Sequence, residues 1–284
     1  MTQRIIAIHG LGLIGGSLGL ALRALPDPPR VLGYDTDPGS ARQALERGAV
    51  DALLAGPDSA EPPADLVVTA VPPRVATGLI PRLAGSLPRG AMLTDLSSVM
   101  LPVLAALGPS AGVTRRFVGS HPLRGSEQGG IGSARGDLFA GASVIVGAPL
   151  EPGSPAEKVA LMWRSVGARP AAMAPAIHDA LVALTSHLPQ VVSVALVRTL
   201  RRTGSMTGLL AQGAGPGLRD MSRLAASPSD LWFDILTLNA EKITPALALF
   251  ERELRGLRHA IGQKDPALRK VLEEAREFRR EVAP

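Results

Sequence analysis

One short segment constrains this chain more than any other. An apolar, β-branched stretch, Arg4–His9, runs directly into Gly10-Leu11-Gly12-Leu13-Ile14-Gly15, and a helical pattern opens behind it. Each glycine has its own physical use: Gly10 for a tight turn, Gly12 for close approach of a pyrophosphate to the backbone, Gly15 for tight helix–strand packing. The helix N-terminus then faces the phosphates. A second predicted strand, Val31–Tyr34, runs into Asp35, 20 residues after Gly15, the interval at which an acid meets the adenosine ribose. A carboxylate there accepts from ribose hydroxyls and repels a 2′-phosphate, so the motif reads as an NAD site rather than an NADP site. Gly10, Gly12, Leu13, Ile14, Gly15 and Asp35 are its expected residues. Val71 and Pro72, at the end of the next long strand, are expected beside the cofactor.

The rest of the first half repeats this alternation. Strands are predicted over Leu66–Val71, Met92–Leu96, Arg116–Gly119, Ser143–Gly147 and Arg169–Met173. Helices are predicted over Ile14–Ala24, Pro38–Arg47, Val75–Ala84, Val99–Leu107 and Ala156–Val166. Short β-branched runs bounded by Gly, Pro or Asp and separated by helices read as βαβ units, hence a Rossmann-type parallel sheet covered on both faces. From about Pro175 strand signals stop. Leu181, Leu184, Leu188, Val191 and Val192 recur at helical spacing, as do Leu231, Ile235, Leu238, Leu249, Leu257 and Ile261. The expected organisation is an α/β dinucleotide-binding domain over 1–173 and an all-helical domain of four or five helices over 174–284. Its long apolar stripes suit homodimerisation or a monomeric bundle.

Composition removes several function classes. The 284 residues include no cysteine, which excludes disulfides, thiolate catalysis and Cys-type zinc sites and fits a reducing, cytoplasmic setting. Aromatic residues make up 3%, too few for a platform that stacks single-stranded nucleic acid. Lys+Arg 30 against Asp+Glu 25 leaves +5, a balance suited to a small anionic ligand and not demanding DNA. Arg4 followed by the apolar Ile5–Leu22 imitates a signal peptide, but five glycines punctuate the run and Arg23 closes it. No membrane span is expected, because His187 and Pro189 interrupt the best candidate.

Polar clusters mark the candidate chemistry. Ser97-Ser98 precedes an apolar helical run and reads either as an N-cap or as pocket hydroxyls. The strand Arg116–Gly119 delivers Ser120-His121-Pro122 and a glycine-rich loop to the carboxyl edge of the sheet, where open α/β sheets bind ligands. In the helical half, Ser186-His187-Leu188-Pro189-Gln190 interrupts an apolar helix. Asp220 can pair with Arg219 or Arg223, leaving one guanidinium for an anion.

These segments together resemble the prephenate and arogenate dehydrogenases of tyrosine synthesis, over nearly the whole chain. The resemblance rests on Gly10–Ser17, on Asp95 with Ser98-Val99, and on Gly119-Ser120-His121-Pro122 with Gly125 and Glu127. It extends to Ser186-His187-Leu188-Pro189 and to Asp220–Ala225 with Trp232. It implies a Rossmann domain plus a helical dimerisation domain, with NAD as cofactor and no metal. The implied reaction is oxidative decarboxylation of prephenate to 4-hydroxyphenylpyruvate, with arogenate as the alternative substrate. By the same resemblance, His121 takes the proton of the ring hydroxyl and Ser98 orients that hydroxyl and the histidine. His187 lies in the substrate pocket and Arg223 binds a carboxylate. Gln190, also expected at the substrate, stands where some relatives carry a second histidine. Met100 stands where many have lysine, and Arg124 where the residue is often small. Ending at Pro284, the chain is expected to carry no fused regulatory domain or mutase.

Overall fold

A computed structural model describes residues 5–57, 63–108, 115–124, 129–202 and 207–282. Gly125 and Glu127 of the histidine loop lie outside the described residues. The chain divides into two compact units, Met1–Ala240 and Glu241–Pro284.

The first unit is built on one eight-stranded sheet of order β3-β2-β1-β4-β5-β6-β7-β8. Its strands are β1 Ile5–His9, β2 Arg30–Tyr34, β3 Ala52–Leu53, β4 Leu66–Thr69, β5 Met92–Asp95, β6 Phe117–Pro122, β7 Ser143–Val146 and β8 Arg169–Ala172. All neighbours pair in parallel except β6 and β7, which are antiparallel. The wholly parallel expectation is thus corrected at β7, and the two-residue β3 escaped detection because so short a run shows no periodicity. Chain order reverses between β1 and β4, the switch point at which such sheets open a crevice. Register aligns the carboxyl ends there: His9 pairs with Thr69, Thr69 with Asp95, and Asp95 with Gly119. The segments after each strand therefore emerge side by side.

Helices α1 Leu13–Arg23, α2 Pro38–Glu46, α3 Pro73–Ser86, α4 Leu101–Ala106 and α5 Pro155–Ser165 connect the strands. Asp37 caps α2 through Gly39 and Ser40 N–H, with Pro38 in the first turn. Pro72-Pro73 does more than stop a strand, because Pro73 opens α3. Behind β6, the fully buried Trp163 donates to Ser120 Oγ at 3.1 Å, and Ser120 Oγ lies 2.8 Å from Thr94 Oγ1. These bonds pin the strand that carries His121.

After β8 every regular element among the described residues is helical. Helix α6 Pro175–Val182 passes through a π-turn, Ala183–His187, into α7 Leu188–Arg201. The short α8 Thr207–Gly213 and α9 Pro216–Ser222, a 3₁₀ turn Arg223–Ala226 and α10 Ser229–Leu238 follow. The expected break at His187 and Pro189 does not occur. The π-turn absorbs the missing proline donor, and Pro175–Arg201 is long and apolar enough, by length and composition alone, to cross a membrane. Its buried His178, Asp179, His187 and Gln190 are instead bonded within this unit, as described below. The helices α11 Ala240–Gln263 and α12 Leu268–Val282 bring the total past the expected four or five. In the second unit, Lys264 (φ 52°) and Asp265 turn the chain. There Leu254, Ile261, Leu272 and Phe278 are exposed.

Candidate active site

The glycine loop has the geometry its residues demand. Gly10 adopts φ +91°, and a Cβ there would stand 2.5 Å from Ala70 O. A Cβ on Gly15 would meet Gly10 O at 1.9 Å, so this buried glycine serves packing and not contact. A Cβ built on Gly12 would meet nothing within 4 Å, so the space beside it is open to the approach a pyrophosphate needs. Asp35 Oδ2 accepts from Leu11 N–H at 2.7 Å and Oδ1 from Asp37 N–H at 2.9 Å. The acid thus braces the glycine loop while keeping lone pairs for a ribose, since a carboxylate has about four acceptor sites. A cavity of about 630 Å³ is lined by Gly10, Gly12, Asp35, Val71 and Pro72. Leu13 and Ile14 line an adjoining cavity of about 380 Å³ together with Val71, Ser98 and His121. These residues fit a bound dinucleotide.

A further cavity of about 480 Å³ is lined by Ser98, His121, Arg124, His187, Arg223 and Trp232, among others. Ser98 and His121 border both this space and the Leu13–Ile14 cavity, so the two compartments meet at a hydroxyl and an imidazole. His121 was expected in a loop after its strand. It lies instead within β6, opposite Ile145 of β7, because the antiparallel β7 extends the pairing past Gly119. His187 stands edge-on to Trp232, with ring centroids 5.9 Å apart.

Ser97-Ser98 makes no cap, since α4 starts at Leu101 with no side-chain bond from its own cap residue. Gln190 does not line the cavity. It is buried and donates to Leu224 O at 2.8 Å, while Ser193 Oγ accepts from Ala225 N–H at 3.0 Å. Both bonds hold the turn that carries Arg223.

Sequence reasoning missed a cluster behind the pocket. His121 Nδ1 lies 2.9 Å from His178 Nε2, and His178 Nδ1 lies 2.7 Å from Asp179 Oδ1. Asp179 also accepts from Met100 and Leu101 N–H at 2.9 and 2.8 Å, supplying the missing cap of α4. Asn239 Nδ2 donates to Asp179 O at 2.9 Å and lies 3.2 Å from His187 Nδ1. The signal was available: an adjacent His-Asp pair in an otherwise apolar helix is the same anomaly that marked His187.

Burial shifts the titration of these groups. It lowers His121 to about 3, helped by the neighbouring His178 and His187. It lowers His187 to about 4. Both are therefore neutral near pH 7, where His121 can accept a proton. Burial would raise Asp179, but the bonds from His178, Met100 and Leu101 outweigh it and hold the carboxyl below its ordinary value. Asp95 goes the other way, raised to about 6 by burial against bonds from Thr69 and Ser97. A carboxyl raised in the folded state favours folding below its unfolded pKa of about 3.9, and that contribution is lost as pH rises through about 6. Relative to the parent, Asp95→Asn is expected to gain thermal stability between pH 4 and pH 7. A difference in Tm that stays constant over that range would contradict this.

A glycine loop braced by an acid, opening through a shared serine and histidine onto a cationic pocket, defines a nucleotide-dependent dehydrogenase of the Rossmann-plus-helices kind. The family model for the prephenate dehydrogenase nucleotide-binding domain matches residues 18–172, and that for the prephenate dehydrogenase dimerisation domain matches residues 174–274. The chain belongs to the prephenate dehydrogenase family. It is 33% identical over 265 residues to a cyclohexadienyl dehydrogenase of Zymomonas mobilis, covering 92% of this chain and 89% of that one. It is 30% identical over 266 residues to the prephenate dehydrogenase of Bacillus subtilis, covering 92% of this chain and 71% of that one. Among solved structures, prephenate dehydrogenase from A. aeolicus in complex with hydroxyphenyl propionate and NAD+ superimposes with a TM-score of 0.88. That pair shares 28% identity over 99% of both chains.

Proposed function

We propose that this chain is an NAD-dependent dehydrogenase that oxidatively decarboxylates prephenate to 4-hydroxyphenylpyruvate. The observation that carries the reading is the junction of the two compartments at His121 and Ser98. When bound at the glycine loop, NAD supplies the hydride acceptor. Ser98 orients the ring hydroxyl toward His121, which takes its proton as hydride leaves C4. The ring carboxylate then departs as CO₂, aromaticity drives the step, and His121 returns the proton to the phenolic oxygen. Arg223 holds one substrate carboxylate and His187 donates to the substrate from the helical wall. The proton is cycled, so the base ends each turnover as it began.

The functional division is placed at 173/174, supported by the adjoining family matches over 18–172 and 174–274. The match to a dimerisation domain supports a homodimer, and its relatives' biosynthetic chemistry supports a cytoplasmic setting. Mixing purified protein with prephenate and NAD, with arogenate in parallel, should produce reduced cofactor faster with prephenate. Turnover with neither substrate would overturn the reading, and turnover with arogenate alone would replace it by the alternative. For the coenzyme, Asp35→Ala should weaken NAD binding by about 10- to 150-fold, the equivalent of a charged hydrogen bond of about 1.5–3 kcal/mol. Equal efficiency of the parent with NADP would refute the role of Asp35.

A further inference from the structure

A proton acceptor facing the pocket needs only one imidazole, yet a second imidazole and a carboxylate are buried behind it, both fully shielded from solvent. We propose that Asp179 and His178 are positioning residues that hold the proton of His121 on Nδ1, so that Nε2 meets the substrate as a free lone pair. The inference deepens the reading of His121 as the base and rests on it.

The argument follows donors and acceptors. A carboxylate only accepts. Asp179 is anchored as an acceptor by Met100 and Leu101 N–H, so the 2.7 Å contact puts a proton on His178 Nδ1. Neutral imidazole with Nδ1–H carries its lone pair on Nε2. That lone pair lies 2.9 Å from His121 Nδ1, which must therefore donate. The two rings are nearly perpendicular, at 85°, so the contact is an edge-on hydrogen bond and not a stack. With its proton on Nδ1, neutral His121 has its lone pair on Nε2. The same cluster sets the other pocket imidazole. The Asn239 amide that donates to Asp179 O also meets His187 Nδ1. An NH₂ group only donates, so His187 carries its proton on Nε2. The two histidines thus offer the substrate opposite polarity, an acceptor at His121 and a donor at His187.

The arrangement also places the charge. When His121 takes a proton at Nε2, its Nδ1 proton can move to His178 Nε2, leaving the cation beside Asp179. The return of the proton to substrate reverses both moves, and no other reactant is needed.

Three variants and one spectroscopic measurement test this. His178→Phe removes the acceptor behind His121. It should lower kcat by on the order of 10- to 10³-fold, short of the ~10⁴ seen when replacing an orienting carboxylate by its amide forces the wrong tautomer. KM and NAD affinity should stay within a few-fold. His178→Gln places an amide oxygen where Nε2 stood and should restore most of kcat. In a His121→Asn background, His178→Phe should cost less than about 3-fold, because the residue through which it acts is gone. An equal loss in both backgrounds, or a full-rate His178→Phe, overturns the proposal. Nitrogen NMR of the unmodified enzyme with NAD, labelled at histidine, should find the proton on Nδ1 of His121 and His178 and on Nε2 of His187. A proton on His121 Nε2 overturns the proposal even if His178→Phe fails to fold. Failure of the base assignment itself would show separately, as a His121→Asn variant within a few-fold of the parent.

Discussion

His121→Asn should lower kcat by roughly 10²–10⁴, the usual contribution of a positioned general base, while NAD binds as before. Asparagine keeps a hydrogen-bonding group of similar reach but cannot take up the proton. A base must be unprotonated to act, so kcat/KM rises with pH through the histidine's ionisation and is flat above it. With His121 held down to about 3 by burial, that acidic limb should lie far below the ordinary histidine value of about 6.5. The enzyme should therefore keep its rate through the mildly acidic range. The limb should vanish in His121→Asn. A variant that turns over within a few-fold of the parent, or retains the same limb, would place the base elsewhere, with His187 the next candidate.

Arg223→Ala is expected to raise the KM for prephenate with little change in NAD affinity. Truncating one member of a desolvated charge pair costs about 2–5 kcal/mol. Arg223 is exposed at the mouth of its cavity, so the lower end applies, about 2 kcal/mol or roughly 30-fold. Its position argues for a substrate role. It heads a 3₁₀ turn clamped by Gln190 and Ser193, across the cavity from the strand that carries His121. Parallel loss of NAD affinity would mark Arg223 as structural.

The cofactor half was legible because its signals are local. Three glycines and an acid at fixed spacing specify a turn, an open approach and a brace within 26 residues, from Gly10 to Asp35. Strands β1, β2, β4 and β5 read out within a residue or two because each is a short apolar run with clear punctuation. What failed to read was long-range. His121 extends β6 only because β7, more than 20 residues later, pairs with it antiparallel. Asp179 caps α4 from 79 residues beyond Met100, and no spacing rule connects a helix to a cap supplied by a different part of the chain. The polar anomaly in α6 was visible as composition, but its meaning lay in which imidazole it would reach. Gln190 was placed at the substrate by the family resemblance, whereas its amide donates to the carbonyl of Leu224, a residue of the pocket wall, and supports that wall from behind.

The placement of His121 within a sheet rather than a loop bears on how such a site can change. His121 is held by the β7 ladder opposite Ile145 and by its ring contact with His178, so it cannot drift toward a new ligand without breaking both, and the proposed proton acceptor is a fixed point in space. The opposite wall, from Arg223 to Trp232, consists of a single 3₁₀ turn and the start of one helix. Diversification of substrate range would therefore proceed by reshaping this helical wall and the exposed Arg124 at its rim, with the reaction centre unchanged. Libraries that vary those positions and spare β6 should yield altered selectivity at retained turnover, whereas libraries on β6 should yield mostly inactive protein.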